Sequence, residues 1–436
     1  MLLVHIADIH FRAPNCNDPD TDPDRPVRTR MLQDVRNRIQ KLGPADALLV
    51  GGDVAFKGDP QEYEAASAWL TEFAKACGCS LQRVFVVPGN HDIDRRIITA
   101  SPSTRNAQEA ILQSDTSMRE HQLRIQFGDE NAGHALVKPL KAFNDFAKVF
   151  DCQVYPPERL YWKQELPLEE GVQLRIHGLT STLLSGMNGN DDRRGCLYLS
   201  PLQTVLDPVE DVVNLVLCHH PPDWCLDCDE IEDAVRGRAA IHLFGHKHRA
   251  RVEQAEGYIR CNVSAVNPDR HEAGWQPGYN LINLKVMGTN QDRMIEVEAH
   301  VLQWQPSPEL YRPVLAREDD PVFRHRIVIA GRTPATAVKG SCCCTGARPR
   351  TGLEGGKEVA AEVEAPMVDD HTRNLVYRFW SLPGSERRGI LRALGLIQEE
   401  DLQLPEAERY GRALLRARKR GLLEDFAREV TRRENQ

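Results

Sequence analysis

Val84-Phe85-Val86-Val87-Pro88-Gly89-Asn90-His91-Asp92 is a short apolar run that stops at a proline and a glycine and ends in three polar side chains. A run of this kind, bounded by Pro-Gly, predicts a buried strand with its polar residues just past the strand end. Four other stretches have the same form. Residues 2–6 lead into Ala7-Asp8-Ile9-His10, and residues 47–50 into Gly51-Gly52-Asp53. Residues 215–218 lead into His219-His220-Pro221-Pro222, and residues 241–244 into Gly245-His246-Lys247-His248. Helical patterns over 30–42 and 62–77 separate the first three strands. Alternating strand and helix predicts a layered α/β fold, in which functional loops gather at the carboxyl ends of strands. All five polar clusters sit at such ends.

The surrounding composition sets limits. The chain has 436 residues, 41% hydrophobic and 27% charged, with a formal net charge of -8. That length holds two domains, or one large domain with an appendage. The acidic balance excludes general electrostatic attraction to nucleic acid or anionic lipid, but dications bound in a site attract phosphate locally. The opening MLLVHIADIH has no basic segment ahead of a long apolar one, so it reads as a first strand and a cytoplasmic location is expected. No run reaches the apolar length of a membrane span. The twelve cysteines are irregularly spaced, and Cys77, Cys79, Cys225 and Cys228 lack matching C-x-x-C partners, which argues for reduced thiols.

The expected domains are 1–330, 331–366 and 367–436. Within the first, residues 94–213 read as an insertion framing the cleft, with a helix over 138–150 and strands over 174–176 and 196–199. Strands over 258–266 and 279–286 are expected to complete a second sheet. Residues 331–366 are rich in Gly, Ala, Thr and Pro with little periodic apolar content, the pattern of a flexible linker. Beyond it, Leu375, Val376, Phe379 and Trp380 share a helical face, as do Ile390, Leu391 and Leu394, and then Leu422, Leu423, Phe426 and Val430. A small all-α bundle of about four short helices follows. The run Arg416-Ala417-Arg418-Lys419-Arg420 reads as a solvated helix end, with phosphate contact as the alternative.

The clusters carry metal chemistry. Asp8 and His10, two apart in a tight loop, can aim at one ion. Asp53 follows two glycines that permit close backbone approach, and its carboxylate can bridge two cations. Asn90 offers a neutral carbonyl oxygen, and His219, His246 and His248 offer imidazoles. Mixed N and O ligation without thiolate suits Mn, Fe, Zn, Co or Ni better than Ca. Arg95 and Arg96 follow the third cluster and are candidates to meet a substrate phosphate. His5, His177 and His242 lie inside apolar strand runs and read as packing residues.

In order along the chain, D-I-H, G-G-D, G-N-H-D, H-H-P-P and G-H-K-H resemble the calcineurin-like metallophosphoesterases over roughly the first three hundred residues. The resemblance implies a four-layer α/β/β/α sandwich and two divalent ions, Mn first, with Fe, Zn, Co, Ni or Mg as alternatives. It puts Asp8, His10, Asp53 and His248 on one ion, and Asp53, Asn90, His219 and His246 on the other. His91 would lie over the substrate phosphate as acid or charge stabiliser, with Asp92 orienting it, and His220 would sit behind the ligands on the substrate side. Two cations about 4 Å apart can clamp a phosphoryl oxygen and acidify a bridging water for in-line attack. G-N-H-D-I-D-R, the long insertion and H-H-P-P look like family members from bacterial conflict and defence systems. The tail is similar in pattern and size to death-like or effector-associated adaptor domains. Together they imply a phosphodiesterase, a nuclease-type effector of antiviral defence, with a nucleic acid or nucleotide substrate and a protein partner for the tail. The alternatives are a cyclic or signalling nucleotide phosphodiesterase, a phosphomonoesterase of protein or metabolite, and a non-catalytic scaffold.

Overall fold

The structure is a computed structural model. It describes residues 1–154, 160–269, 276–289 and 292–329, and in the C-terminal region residues 375, 378–379, 382, 384–397 and 406–434. The chain divides into two compact units, Met1–Thr336 and Ala337–Gln436. The linker expected over 331–366 lies outside the described residues.

Two sheets organise the first unit. Strands β1 (Leu2–Ile6), β2 (Ala47–Val50) and β3 (Val84–Val86) are buried along their whole length. Continuous apolar sequence is what a parallel strand covered on both faces requires. They pair in parallel, Ile6 opposite Val50 and Val50 opposite Val86, so all three end at one level. The second sheet contains β4 (Trp162–Pro167), β5 (Gln173–Gly178), β6 (Val212–Cys218), β7 (Ile241–Phe244), β8 (Arg251–Ala255) and β9 (Tyr258–Asn262), in the order β4-β5-β6-β7-β9-β8. Cys218 pairs with Phe244, so β6 and β7 also end flush. The first sheet is extended by β10 (Gly278–Met287), antiparallel to β1, then β11 (Met294–Pro306), with β12 (Glu309–Pro313) and β13 (Phe323–Val328) both on β11.

Helices cover the outer faces. In α1 (Arg25–Leu42) Val27, Met31 and Val35 are buried; in α2 (Pro60–Ala76) Ala66, Leu70 and Phe73 are. Both rows join one core with the first sheet and with Leu215, Leu217, Ile241 and Leu243 of the second. The alternate residues Val216, Cys218 and Phe244 pack instead with Ile231 and Val235 of the helix Cys228–Arg238. Strand alternation thus divides the second sheet between an inner core and an outer helix, and the layers run α/β/β/α as expected.

The 94–213 stretch differs from its reading. It forms α3 (Arg95–Ala100), α4 (Pro102–Leu112), α5 (Arg119–Gly128), α6 (Glu130–Val137) and α7 (Lys141–Ala147). Ala107, Ile111, Leu123 and Leu136 build a small core there with Leu183, Leu184 and Tyr198. Its last part supplies β4 and β5 to the second sheet, so it is structural as well as peripheral. Residues 196–199 make only an isolated bridge, Leu197 with Cys225, in place of a strand. Residues 279–286 return to the first sheet beside β1, whereas 258–262 stay in the second. The apolar patterns were readable, but nothing local to them specifies which sheet a strand joins.

The first unit's helix Cys228–Arg238 is α8, and in the second unit the described helices include α9 (Gly384–Ala393), α10 (Glu406–Lys419) and α11 (Leu423–Glu434). Phe379, Ile390, Leu391, Tyr410, Ala413, Phe426 and Val430 form their own core. Gly395 and Gly421 adopt left-handed backbone after α9 and α10, where a glycine ends a helix at least cost. Leu396 N–H bonds to Leu391 O and Leu422 N–H to Ala417 O, closing both ends. Arg416 and Arg420 donate to the carbonyls of Leu396 and Gly395. Part of the basic run is therefore committed to capping α9, a use its sequence reading did not include.

Candidate metal centre

The five loops that leave β1, β2, β3, β6 and β7 meet at one place. Their backbone is unusual. Nine described non-glycine residues have left-handed backbone, and five of them are Asp8 (φ 56°), His10 (53°), Asp53 (53°), His246 (65°) and His248 (52°). Each such residue costs about 1 kcal/mol or more, so the concentration here marks a site the rest of the fold holds in place. The supports are visible. Asp8 N–H donates to Gly52 O, and His10 N–H to Asp53 O. Gly52 and Gly89 let three loops touch: a Cβ on Gly52 would lie 2.8 Å from Gly89 N and from His219 Nδ1, and one on Gly89 would lie 2.1 Å from Asp53 Oδ1.

Side chains converge accordingly. Asp8 Oδ1 is 3.3 Å from His248 Nε2, and His10 Nε2 is 3.3 Å from Asp53 Oδ2. The same Asp53 oxygen lies 3.2 Å from His219 Nε2. Asn90 Oδ1 is met by three imidazole nitrogens: His219 Nε2 at 3.2 Å, His220 Nε2 at 3.1 Å and His246 Nδ1 at 3.0 Å. Ligand-type atoms of Asp8, His10 and His248, of Asp8, Asp53 and His219, and of His219, His220 and His246 lie within 4.8 Å of one another in each set. His219 Nδ1 donates to Gly51 O (2.8 Å) and His10 Nδ1 to Asn267 O (3.2 Å). A carbonyl on Nδ1 fixes the proton there and frees the Nε2 lone pair for a ligand's work.

Electrostatics favour the ionised carboxylates. Burial opposes charge on Asp53, but His219 and His91 outweigh it and hold the acid well below its usual range. Burial likewise opposes Asp8, and His248 pulls it down. Burial pushes His246 down to about 3, with His219 adding to the effect. A neutral imidazole beside two carboxylates is a donor set suited to cations.

His91 lies beside this group. Its N–H donates to Asp53 Oδ1 (2.7 Å), its ring meets His10 edge-on at 4.8 Å, and with His10 and Asp53 it forms a further close set. Asp92 does not orient it. The buried Asp92 carboxylate accepts from the N–H groups of Val54 (3.1 Å), Ala55 (2.9 Å) and Gly89 (2.8 Å) and from the Tyr63 hydroxyl (2.9 Å). It ties the loops after β2 and β3 together, and His91 Nδ1 turns instead to the Phe56 carbonyl at 3.0 Å. Four donors, from two loops and from α2, outcompete one imidazole for a carboxylate that is already enclosed.

His220 joins the imidazole cluster, with Nδ1 on Ser181 Oγ at 2.8 Å and Asp192 Oδ2 at 4.0 Å from Nε2. Arg95 pairs with the exposed Asp191 at 2.6 Å, whereas Arg96 is bound to Asp94 and Asp59. Sequence reading missed Phe56, Ser181, Asp192, Trp224 and Asn267. Trp224, edge-on to His246 at 4.0 Å, could have been found from its place just after H-H-P-P. Ser181, Asp192 and Asn267 have no local signal, because the insertion and a distant loop bring them in, and Phe56, three residues past Asp53, reads locally as an ordinary apolar residue. His177 and His242 sit in strands as expected, on Asn214 Oδ1 (3.1 Å) and Ala239 O (2.9 Å).

Five metal-type loops at the flush ends of parallel strands in a two-sheet sandwich define a metallophosphoesterase class of site, and comparison with known sequences agrees. The chain belongs to the calcineurin-like phosphoesterase family, matched over residues 1–250, and residues 371–432 match the GTPase-associated adaptor domain. A Bacillus subtilis (strain 168) relative described as an uncharacterized metallophosphoesterase-like protein, YydB, is 25% identical over 255 residues, 56% of this chain. The match spans about half of that relative, 48% of its length. Among solved structures, Vps29 of Chaetomium thermophilum is 11% identical with a TM-score of 0.29, over 76% of this chain and 99% of that one. A putative 5′-nucleotidase from Staphylococcus aureus is 11% identical with a TM-score of 0.35, over 76% and 55% respectively. No described helix is long and apolar enough to cross a membrane.

Proposed function

We propose that the chain is a two-metal phosphodiesterase acting on nucleic acid or nucleotides, brought to its target by the C-terminal adaptor domain. The observation that carries the reading is the sharing of Asp53 Oδ2 between His10 and His219, 3.3 and 3.2 Å away, midway between two donor groups. The residues fit two divalent ions: Asp8, His10, Asp53 and His248 for one, and Asp53, Asn90, His219 and His246 for the other. When bound, such a pair supplies Lewis-acid charge for the phosphoryl oxygens and acidifies the attacking water.

The chain's own groups do the rest. His219 and His10 are held in one tautomer by backbone carbonyls, which points their Nε2 atoms inward. Asp92 keeps the loops of Asp53 and Asn90 in contact. His91 is the group placed to give a proton to the departing oxygen or to offset charge on phosphorus. Arg95, on the insertion side, is the proposed phosphate contact, released from Asp191 when substrate arrives. A diester is favoured over a monoester by the flanks of the third and fourth clusters. A defence effector is the biological setting we infer, and the adaptor's family name supports recruitment to a partner associated with a GTPase.

The test is direct. Purified protein loaded with Mn is incubated with single-stranded and duplex DNA, RNA, cyclic nucleotides, a phosphomonoester and bis(4-nitrophenyl) phosphate. Cleavage of a nucleic acid or nucleotide diester, abolished by chelation, is expected. Hydrolysis of the monoester alone, or activity indifferent to chelator, would overturn the reading.

A further inference from the structure

With Asp92 engaged elsewhere, the His91 ring turns to an apolar residue, while its backbone N–H stays on Asp53. Phe56 accepts the His91 Nδ1 proton on its carbonyl at 3.0 Å and stacks its ring on the imidazole, centroids 4.9 Å apart and planes 17° from parallel. The guanidinium carbon of Arg12 lies 3.8 Å from the centre of the same Phe56 ring. The two loops that carry them are anchored by Glu62, which is 1% exposed. Glu62 Oε2 accepts from the N–H groups of Phe56 (3.1 Å) and Lys57 (2.8 Å), and Oε1 from Ala13 (3.2 Å), the neighbour of Arg12. Phe11, on the other side of Arg12, bonds to the same loop, accepting from Phe56 N–H at 3.1 Å. Ring, carbonyl and cation therefore sit on one braced loop pair.

We propose that Phe56, steadied by Arg12, is the positioning residue of His91. This deepens the phosphodiesterase reading and rests on it. The carbonyl sets the Nδ1–H tautomer and leaves Nε2 for the reaction, and the ring sets the plane in which Nε2 points. A carbonyl accepts from imidazole and imidazolium alike, whereas a carboxylate there would bias the ring toward its charged form. A guanidinium over an aromatic face adds about 0.5–2 kcal/mol, enough to restrict the ring. In the hydrolysis proposed, the Nε2 proton of imidazolium His91 passes to the departing ester oxygen as its bond to phosphorus breaks, leaving neutral imidazole.

The experiment compares two leaving groups on Mn-loaded full-length protein. Thymidylyl-thymidine releases an alkoxide that needs the proton, whereas bis(4-nitrophenyl) phosphate releases a stable phenolate that does not. Phe56→Ala is expected to lower kcat on the dinucleotide by about thirtyfold, and on the nitrophenyl diester by less than about threefold, a positional loss of part of the general-acid contribution. KM and the content of two ions per chain should stay at wild-type values, and Phe56→Tyr should restore most of kcat. Arg12→Ala should give the same pattern at about a fifth of the size. Equal losses on both substrates, or loss of metal, would overturn the proposal and make Phe56 structural. A wild-type chain that cleaves neither substrate removes the phosphodiesterase reading instead. The Nδ1 bond to the carbonyl is checked independently of activity by 15N correlation spectra of the imidazoles. A His91 ring carrying a proton on Nδ1 is expected, and one protonated only on Nε2 overturns the proposal.

Discussion

His242 and His246 are four residues apart, and burial depresses both to about 3, yet they are different kinds of residue. His242 lies within β7, stacks on Tyr258 at 4.7 Å and gives its Nε2 proton to the Ala239 carbonyl. His246 lies just past the strand end, in left-handed backbone, with Nδ1 on Asn90 and with His219 and His220 for neighbours. The difference teaches that burial and a shifted pKa do not identify a ligand. Strand geometry sends successive side chains to opposite faces, so imidazoles in a strand are scattered. A loop at a flush strand end can bring several together.

The contrast is breakable. Its largest test is Asp53→Asn, which removes charge from the oxygen shared by both donor groups. Loss of both ions is expected, with activity lower by several kcal/mol of transition-state stabilisation, on the order of a thousandfold or more. Metal analysis showing two ions in this variant would refute the bridging role. His91→Ala should come next, lowering turnover by about a hundredfold with two ions retained. Should that variant lose metal, His91 is itself a ligand and its assignment to the leaving group fails. His246→Ala should remove one of two ions and weaken activity by about ten- to a hundredfold, at the scale of an altered ligand environment. Full occupancy in that variant would place His246 with His242.

His242→Phe is the smallest test and the control. The folded His242 stays neutral down to about 3, while the unfolded residue takes up a proton near 6.5. Its contribution to stability is therefore complete above 6.5 and is lost as pH falls below that value, by roughly 1 kcal/mol per pH unit. Replacing it with Phe should leave activity and metal content intact and flatten the fall in denaturant midpoint between pH 7 and pH 5, measured with chelator present. An unchanged slope would mean that His242 is not the group responsible.

The residue patterns carried much of this. Apolar runs ending in Gly, Pro and polar residues locate five strands and all seven candidate ligands, because polar clusters just past such runs fall in the loops at the strand ends. What they do not carry is partnership across the chain. That Asp92 would be saturated by Val54, Ala55, Gly89 and Tyr63 depends on how two loops fold against each other. That Asn267 would hold His10 depends on a loop 257 residues away. The insertion was read as framing the cleft, with a helix expected only over 138–150, because the small residues of α4 mask its buried face, Ala107 and Ile111. The strand over 279–286 was expected in the second sheet and lies in the first, because strand content is local and strand order is not.

One feature of the architecture reaches beyond catalysis. Asp8, Asp53 and Asn90 come from the first sheet, whereas His219, His246 and His248 come from the second, and apart from the hydrophobic core the seam at this edge is joined by bonds such as His219 Nδ1 to Gly51 O. Ions held between these groups would act as rivets through two plates. Folding free energy would then be a function of free ion concentration, gaining about 2.7 kcal/mol for each site at a hundredfold excess over its dissociation constant. A cell short of the ion would hold a looser protein as well as a slower one, so that melting temperature titrated against metal reports on the seam itself.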